Sequence, residues 1–197
     1  MTALALGFAD PVRDSQSAFK AIMWALARPG RPMALPSTLA PPAPLTPELA
    51  AVALALLDYE TPFWLDAALS ATPAVGDFLR FHTGAPRVEE PADARFAFIA
   101  EPAHLPALER FALGEPDYPD RSTTVVMAVA GFGTAPFALN GPGIQGRIGF
   151  GAEPLPADFT ERLAANRALF PLGLDFILTA PGAVAGLPRS TRIASEE

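Results

Sequence analysis

Apolar positions recur along this chain with two periods, and each period predicts its own kind of element. Between Ser15 and Arg28, Phe19, Ile22, Met23 and Leu26 fall at i, i+3, i+4 and i+7, which predicts a helix with one apolar face. Asp14 or Ser15 can cap it, and Pro29-Gly30 stops it. Seven prolines from Pro29 to Pro47 then impose an extended connector, with Met33, Leu35, Leu39 and Leu45 placed to dock on a core. Thr46-Pro47-Glu48 combines a hydroxyl cap, a first-turn proline and an acid at the positive end of a helix dipole. The helix it predicts, Glu48–Leu57, is apolar nearly all round and therefore buried. Phe63–Leu65 reads as a short strand, Pro73–Phe81 as a helix opened by Thr72, with His82-Thr83-Gly84 as its C-cap. Ala94–Ala100 alternates as a strand does, and Ala103–Ala112 reads as a short helix.

The β-branched run from Ser122 to Ala130 predicts a buried strand, and the chain is organised around it. Gly131-Phe-Gly133 reads as a tight turn, and Thr134–Leu139 as a returning strand that Pro136 pushes to an edge, so a hairpin is expected here. Asp158 and Glu161 stand at capping-box spacing before a helix reaching Phe170. Leu174–Thr179 is a buried strand, Pro181-Gly182 a turn, and Ala183–Leu187 with the tail Pro188–Ile193 completes the chain, its last four residues expected to fray. Alternating helices and strands with one hairpin predict an α/β fold: a three-layer sandwich with a mixed sheet between helices. No repeat or boundary divides the sequence, so one domain over residues 1–197 is expected.

Composition narrows the functions this fold can carry. The chain is 50% apolar and only 18% charged, a balance that suits a surface partly buried against partners. Its net charge of −7 argues against a general nucleic-acid-binding surface. With no cysteine, thiolate metal sites, disulfides and iron–sulfur ligation are out of reach. The start, Met1 to Asp10, has no signal-peptide pattern, and the apolar run at Leu49–Leu57 falls far short of the roughly 20 residues that span a bilayer. A soluble cytoplasmic protein without a membrane contact is expected.

Candidate chemistry is sparse. His82 and His104 have no second ligand at metal spacing, so no metal site is expected. No P-loop, dinucleotide glycine motif or nucleophile elbow occurs. Lys20 is the single lysine among fourteen cations, and it lies off the apolar face of its helix, so a pyridoxal-phosphate Schiff base is not expected. Two stretches remain. Gly141-Pro-Gly143 leaves bare backbone that a ligand or another chain can approach, or it is a plain strand-ending turn. Asn166, Asp175 and Arg189-Ser190-Thr191-Arg192 form the strongest polar constellation. Two arginines with two hydroxyls between them can grip a phosphate; alternatively Arg189 pairs with Asp175 and locks the terminus.

These pieces together resemble the PhnH family of carbon–phosphorus lyase subunits. The resemblance rests on Phe8–Pro11, Gln16–Phe19, Met23, Ala27–Gly30, Leu56–Asp58, Thr61-Pro62, His82–Gly84, Gly141–Ile144, Asn166, Pro171–Asp175 and Pro188–Arg192. Lys20 departs from the arginine expected there, and Ser190 from threonine. The resemblance implies a fold similar to the large domain of type I pyridoxal-phosphate transferases, without their cofactor. It implies a homodimer in isolation and, in the cell, assembly with PhnG, PhnI and PhnJ. It further implies that, with PhnG, PhnI and PhnL, the subunit supports synthesis of α-D-ribose 1-methylphosphonate 5-triphosphate from methylphosphonate and ATP, adenine leaving C1′. Such a displacement has oxocarbenium character, for which Asp58 and Asp175 are candidate carboxylates. The sharper expectation is non-catalytic: the glycine loop and C-terminal arginines shape a surface or anion pocket that helps assemble the synthase. The alternative is a stand-alone enzyme or binding protein for phosphorylated sugars or nucleotides.

Overall fold

Asp10-Pro11 sets the first helix four residues ahead of the sequence expectation. In the structure, a computed structural model that describes residues 4–193, α1 spans Pro11–Ala27. Asp10, rather than Asp14 or Ser15, caps it: Val12 and Arg13 donate backbone N–H bonds of 3.2 and 3.0 Å to Asp10 Oδ1. The face it buries is Ala18, Ile22 and Ala25, while Phe19 and Met23 stand in solvent. The reason is distance. A Cβ on Gly186 would lie 2.7 Å from the Ala25 carbonyl, so the helix backbone approaches its neighbour too closely for larger side chains at the contact.

The proline-rich connector docks as expected, with Leu35, Leu39 and Leu45 buried, and contributes β1 (Met33–Ala34). Thr46 Oγ1 accepts the Leu49 N–H and starts α2 (Pro47–Leu56), whose buried face includes Leu49, Val52 and Ala53. β2 (Phe63–Leu65) leads into the single turn α3 (Ala67–Ser70) and then α4 (Pro73–Thr83), which Gly84 ends in a left-handed conformation. β3 (Phe96–Ile99) follows. The helix expected over Ala103–Ala112 is two separate 3₁₀ turns, at Pro102–His104 and Leu108–Arg110. Pro106 explains the break: it offers no N–H and holds Leu105 extended.

β4 (Thr124–Ala128) is the buried strand around which the chain was expected to organise, but it forms no hairpin. β3 and β7 (Asp175–Ala180) occupy its two edges, both parallel to it. The chain therefore leaves the sheet. β5 (Gly131–Asn140) runs through the supposed glycine turn and pairs with β6 (Ile148–Glu153), a strand the sequence reading missed. Ala130 N–H donates to Glu153 O at the crossing point. A bulge between Gly133 and Phe137 contains Pro136, where a ladder donor is missing. α5 (Phe159–Ala168) is shorter than expected, and its capping box does not form; Asp158 Oδ1 instead takes the Arg162 Nε–H at 2.8 Å. β8 (Ala183–Leu187) returns antiparallel to β7 across the Pro181-Gly182 turn, and β9 (Arg192–Ile193) joins the end of β5.

Six strands thus form one mixed sheet, in the order β1-β8-β7-β4-β3-β2, parallel from β2 to β7 and antiparallel at β8 and β1. One apolar core lies between this sheet and α1, α2 and α4. The second lies on the opposite face. That face is covered less by helices than by the three-stranded sheet β6-β5-β9, with α5 beside it. The residues at 194–197 expected to fray lie outside the described part. Among the described residues, no helix is long and apolar enough to cross a membrane.

Candidate functional site

The C-terminal turn after β8 places Arg189 directly over the start of β7. The Asp175 carboxylate is held by Arg189 at four points: backbone N–H at 2.8 Å, Nε at 3.2 Å to each oxygen, and an Nη at 2.5 Å. The guanidinium has further partners. It donates to Pro119 O at 2.7 Å, to Ser122 Oγ at 2.6 Å and more weakly to Pro171 O at 3.4 Å. With only 13% of its side chain exposed, Arg189 has its donors spent inside the protein. The lock that competed with a phosphate grip is the one that forms. Ser122 and Pro119, which complete it, carried no sequence signal, because a serine before a strand and a loop carbonyl are commonplace.

Asn166 is also structural. It is buried on the last turn of α5, where Oδ1 accepts the Leu174 N–H and Nδ2 donates to Leu174 O, both at 2.8 Å. A side-chain amide here stands in for a strand neighbour and fixes the residue next to Asp175. Asp58 is turned on its own loop, accepting from Glu60 N–H and Thr61 Oγ1. His82 bonds Ala5 O, and His104 sits beside Glu101 on an exposed turn. Among the described residues, no group of three histidine, aspartate or glutamate side chains is placed to hold a metal ion. Lys20 stands exposed on α1.

The glycine loop and the terminal segment do meet. β9 sets Asn140 opposite Arg192, and a Cβ on Gly141 would lie 3.1 Å from Ser190 O and 3.5 Å from Thr191 Cα. On its other side the loop rests on the end of α1, where Gly143 faces the Ala27 carbonyl and Pro29. Ser190 contributes backbone, Thr191 N–H closes a turn onto Pro188 O at 2.8 Å, and Arg192 is exposed. Two buried oxygens at this junction, Asn140 Oδ1 and Thr191 Oγ1, have no hydrogen-bond partner among the described residues. The structure therefore brings Gly141, Ser190, Thr191 and Arg192 together, and diverts Asn166, Asp175 and Arg189 into holding the fold. The two-arginine grip does not form.

Gly143 shows how tightly the loop is built. Its φ is +80°, and an added Cβ would strike the Ala27 carbonyl. Gly143→Ala is expected to cost about 2–3 kcal/mol in urea unfolding, from left-handed strain and displaced backbone together. Gly146→Ala, with φ +70° but open space around it, isolates the strain and is expected to cost about 1 kcal/mol. Equal losses at both positions would show that the loop does not press on α1.

Comparison with known proteins bears directly on this arrangement. The model of the family described as "Bacterial phosphonate metabolism protein (PhnH)" matches residues 6–194. The "Alpha-D-ribose 1-methylphosphonate 5-triphosphate synthase subunit PhnH" of Rhizobium meliloti (strain 1021) is 46% identical over 190 residues, covering 96% of this chain and 94% of that protein. The "Putative C-P lyase subunit protein HtxG" of Stutzerimonas stutzeri is 39% identical over 82 residues, 41% of this chain and 42% of its own. Both the glycine loop and the Asp175–Arg189 lock fall inside the matched span, and the chain belongs to the PhnH family of bacterial phosphonate metabolism proteins.

Proposed function

We propose that this chain is a subunit of the assembly that makes α-D-ribose 1-methylphosphonate 5-triphosphate from methylphosphonate and ATP, and that it has no independent turnover. The observation that carries the reading is the Asp175–Arg189 lock. Displacement of adenine at C1′ calls for a free carboxylate near the sugar and donors for the leaving base. Here Asp175, one of the two carboxylates the sequence offered for that work, is neutralised in a half-buried site by Arg189, the arginine it offered for a phosphate grip. Asp58 is engaged with its own turn. What this chain brings is shape and surface. The 46% identical relative carries the name of a synthase subunit, which supports the same place for this one. In this reading the protein works in the cytoplasm as one unit over residues 1–197. It dimerises when alone and takes its place beside PhnG, PhnI and PhnJ in the cell. Its scaffold is that of the large domain of type I pyridoxal-phosphate transferases, used without the cofactor.

Reconstitution tests the reading. Methylphosphonate and ATP are expected to give no adenine with this chain alone, and adenine with α-D-ribose 1-methylphosphonate 5-triphosphate only when the partner subunits are added. Adenine release by the purified chain would overturn it. One observation favours a second reading, a phosphate-binding edge at the glycine loop: the unpartnered Thr191 hydroxyl, a free donor, beside exposed Arg192. That reading predicts a rise in melting temperature with ATP that Arg192→Ala removes; a flat response sinks it.

A further inference from the structure

A cavity of about 290 Å³ lies between the first half of α1 and the proline-rich connector, apart from the C-terminal lock and the glycine loop. Its floor is apolar. Ala18, Leu35 and Ala51 there are almost fully buried, and Phe8, itself packed on the core, lines the cavity beside them. Three polar side chains line it as well. Asp14 and Ser17 come from α1, where they fall within about 100° of Ala18 and of each other round the helix. Thr38 comes from the connector. The cavity borders the carboxyl end of β7, because Leu35 N–H donates at 2.8 Å to Gly182 O in the turn that follows that strand. Beside parallel strands, the crevice outside the carboxyl ends is where ligands bind.

These side chains have hydrogen-bonding capacity that the fold leaves unused. The half-buried Asp14 carboxylate accepts one bond, from Asp10 N–H to Oδ2 at 3.0 Å, and pairs with no cation among the described residues. The Ser17 and Thr38 hydroxyls, both on exposed residues, have no hydrogen-bond partner among the described residues. The carboxylate does not require a cation. It stands in the first turn of α1, where the positive end of the helix dipole and the Asp10 N–H offset its charge. What its free lone pairs still accept is a hydroxyl donor. No lysine or arginine lines the cavity, so a phosphate finds no counter-charge in it. A volume at the low end of ligand cavities takes a sugar ring and not a whole nucleotide. Resting on the subunit reading above, we propose that this cavity holds the ribose of the nucleotide. Asp14 accepts from its vicinal 2′- and 3′-hydroxyls, Ser17 and Thr38 exchange bonds with its oxygens, and base and phosphates stay outside. All three are binding residues, and the displacement at C1′ remains with the partner subunits.

The test is an NMR titration of the full chain with adenosine, which carries the diol but no phosphate and so cannot bind through the arginine edge. Adenosine is expected to bind in the millimolar range of so small a ligand, and 2′,3′-dideoxyadenosine at least about tenfold more weakly. Asp14→Asn keeps an oxygen for the Asp10 N–H and is expected to lose a similar factor, about tenfold, for adenosine. Should that variant fail to fold, Ser17→Ala/Thr38→Val carries the test. Both residues are exposed and their hydroxyls unpartnered, so the melting temperature is expected to hold while binding falls about fivefold or more. Asp117→Asn, an exposed acid outside the cavity, is expected to bind as wild type. Absence of adenosine binding, equal binding of the two nucleosides, or wild-type affinity in the cavity variants overturns the proposal. Binding of n-butylamine in place of adenosine also overturns it, because the occupant is then a cation. None of these results touches the subunit reading, which reconstitution with the partner subunits reads separately. A chain that binds adenosine through its diol, yet is dispensable for synthesis, sinks that reading and leaves the cavity its sugar.

Discussion

Arg189→Ala is expected to destabilise the protein by about 3–5 kcal/mol, the largest effect of any single substitution at the candidate site. The cost has two parts. Removing the guanidinium leaves the Asp175 carboxylate, three-quarters covered, with one backbone N–H as its remaining donor. It also strips Ser122 Oγ and Pro119 O of the cation that ties the loop before β4 to the C-terminal turn. Arg189→Lys keeps the charge but not the planar fork, which here spans a carboxylate, a hydroxyl and a carbonyl, so it is expected to recover less than half of the loss. Denaturant midpoints measure both. A loss under about 0.5 kcal/mol for Arg189→Ala would mean the side chain is free for another task, and the phosphate-grip reading would return.

Asn166→Ala is the second large effect, expected at about 2–4 kcal/mol, or a melting temperature lower by roughly 5–10 °C for a chain of this size. It removes both partners of the Leu174 backbone in a buried position, and each orphaned group carries its own desolvation cost. Asn166→Asp separates the two bonds. It retains an acceptor for the Leu174 N–H but sets a carboxylate against Leu174 O, so it is expected to be at least as damaging as alanine. Calorimetry of the two variants decides the matter: an aspartate variant near wild type would show that the amide donor does nothing. Either substitution acts on stability first. Any loss of synthase assembly should follow the fraction unfolded.

Much of the fold is readable from local chemistry. Thr46-Pro47 starts α2 where a hydroxyl cap and a first-turn proline require it, Gly84 ends α4, and the β-branched run at 124–128 is a buried strand. The site was readable only as a choice between partners. Arg189 and Asp175 are fourteen positions apart, and spacing allows both a lock and a ligand grip; the antiparallel return of β8 along β7 decides by setting one above the other. Ile148–Glu153 escaped notice because its glycines dilute the alternation that marks a strand. On α1, hydropathy put Phe19 and Met23 on one apolar face with Ile22 and Leu26, yet the contact with β8 admits alanine and leaves Phe19 and Met23 exposed.

The sequence by itself determined where most elements begin and end, the mixed α/β class and the family, because caps, prolines and periodic apolar positions act over a few residues. Only the tertiary structure decided that β4 has both edges taken, so that the next strand must found a second sheet. It alone decided that the C-terminal arginine is spent on the fold and that the bulky side of α1 faces outward. Strand edges, ion pairs and close backbone approaches are settled between residues far apart in the chain, and no local pattern carries that information.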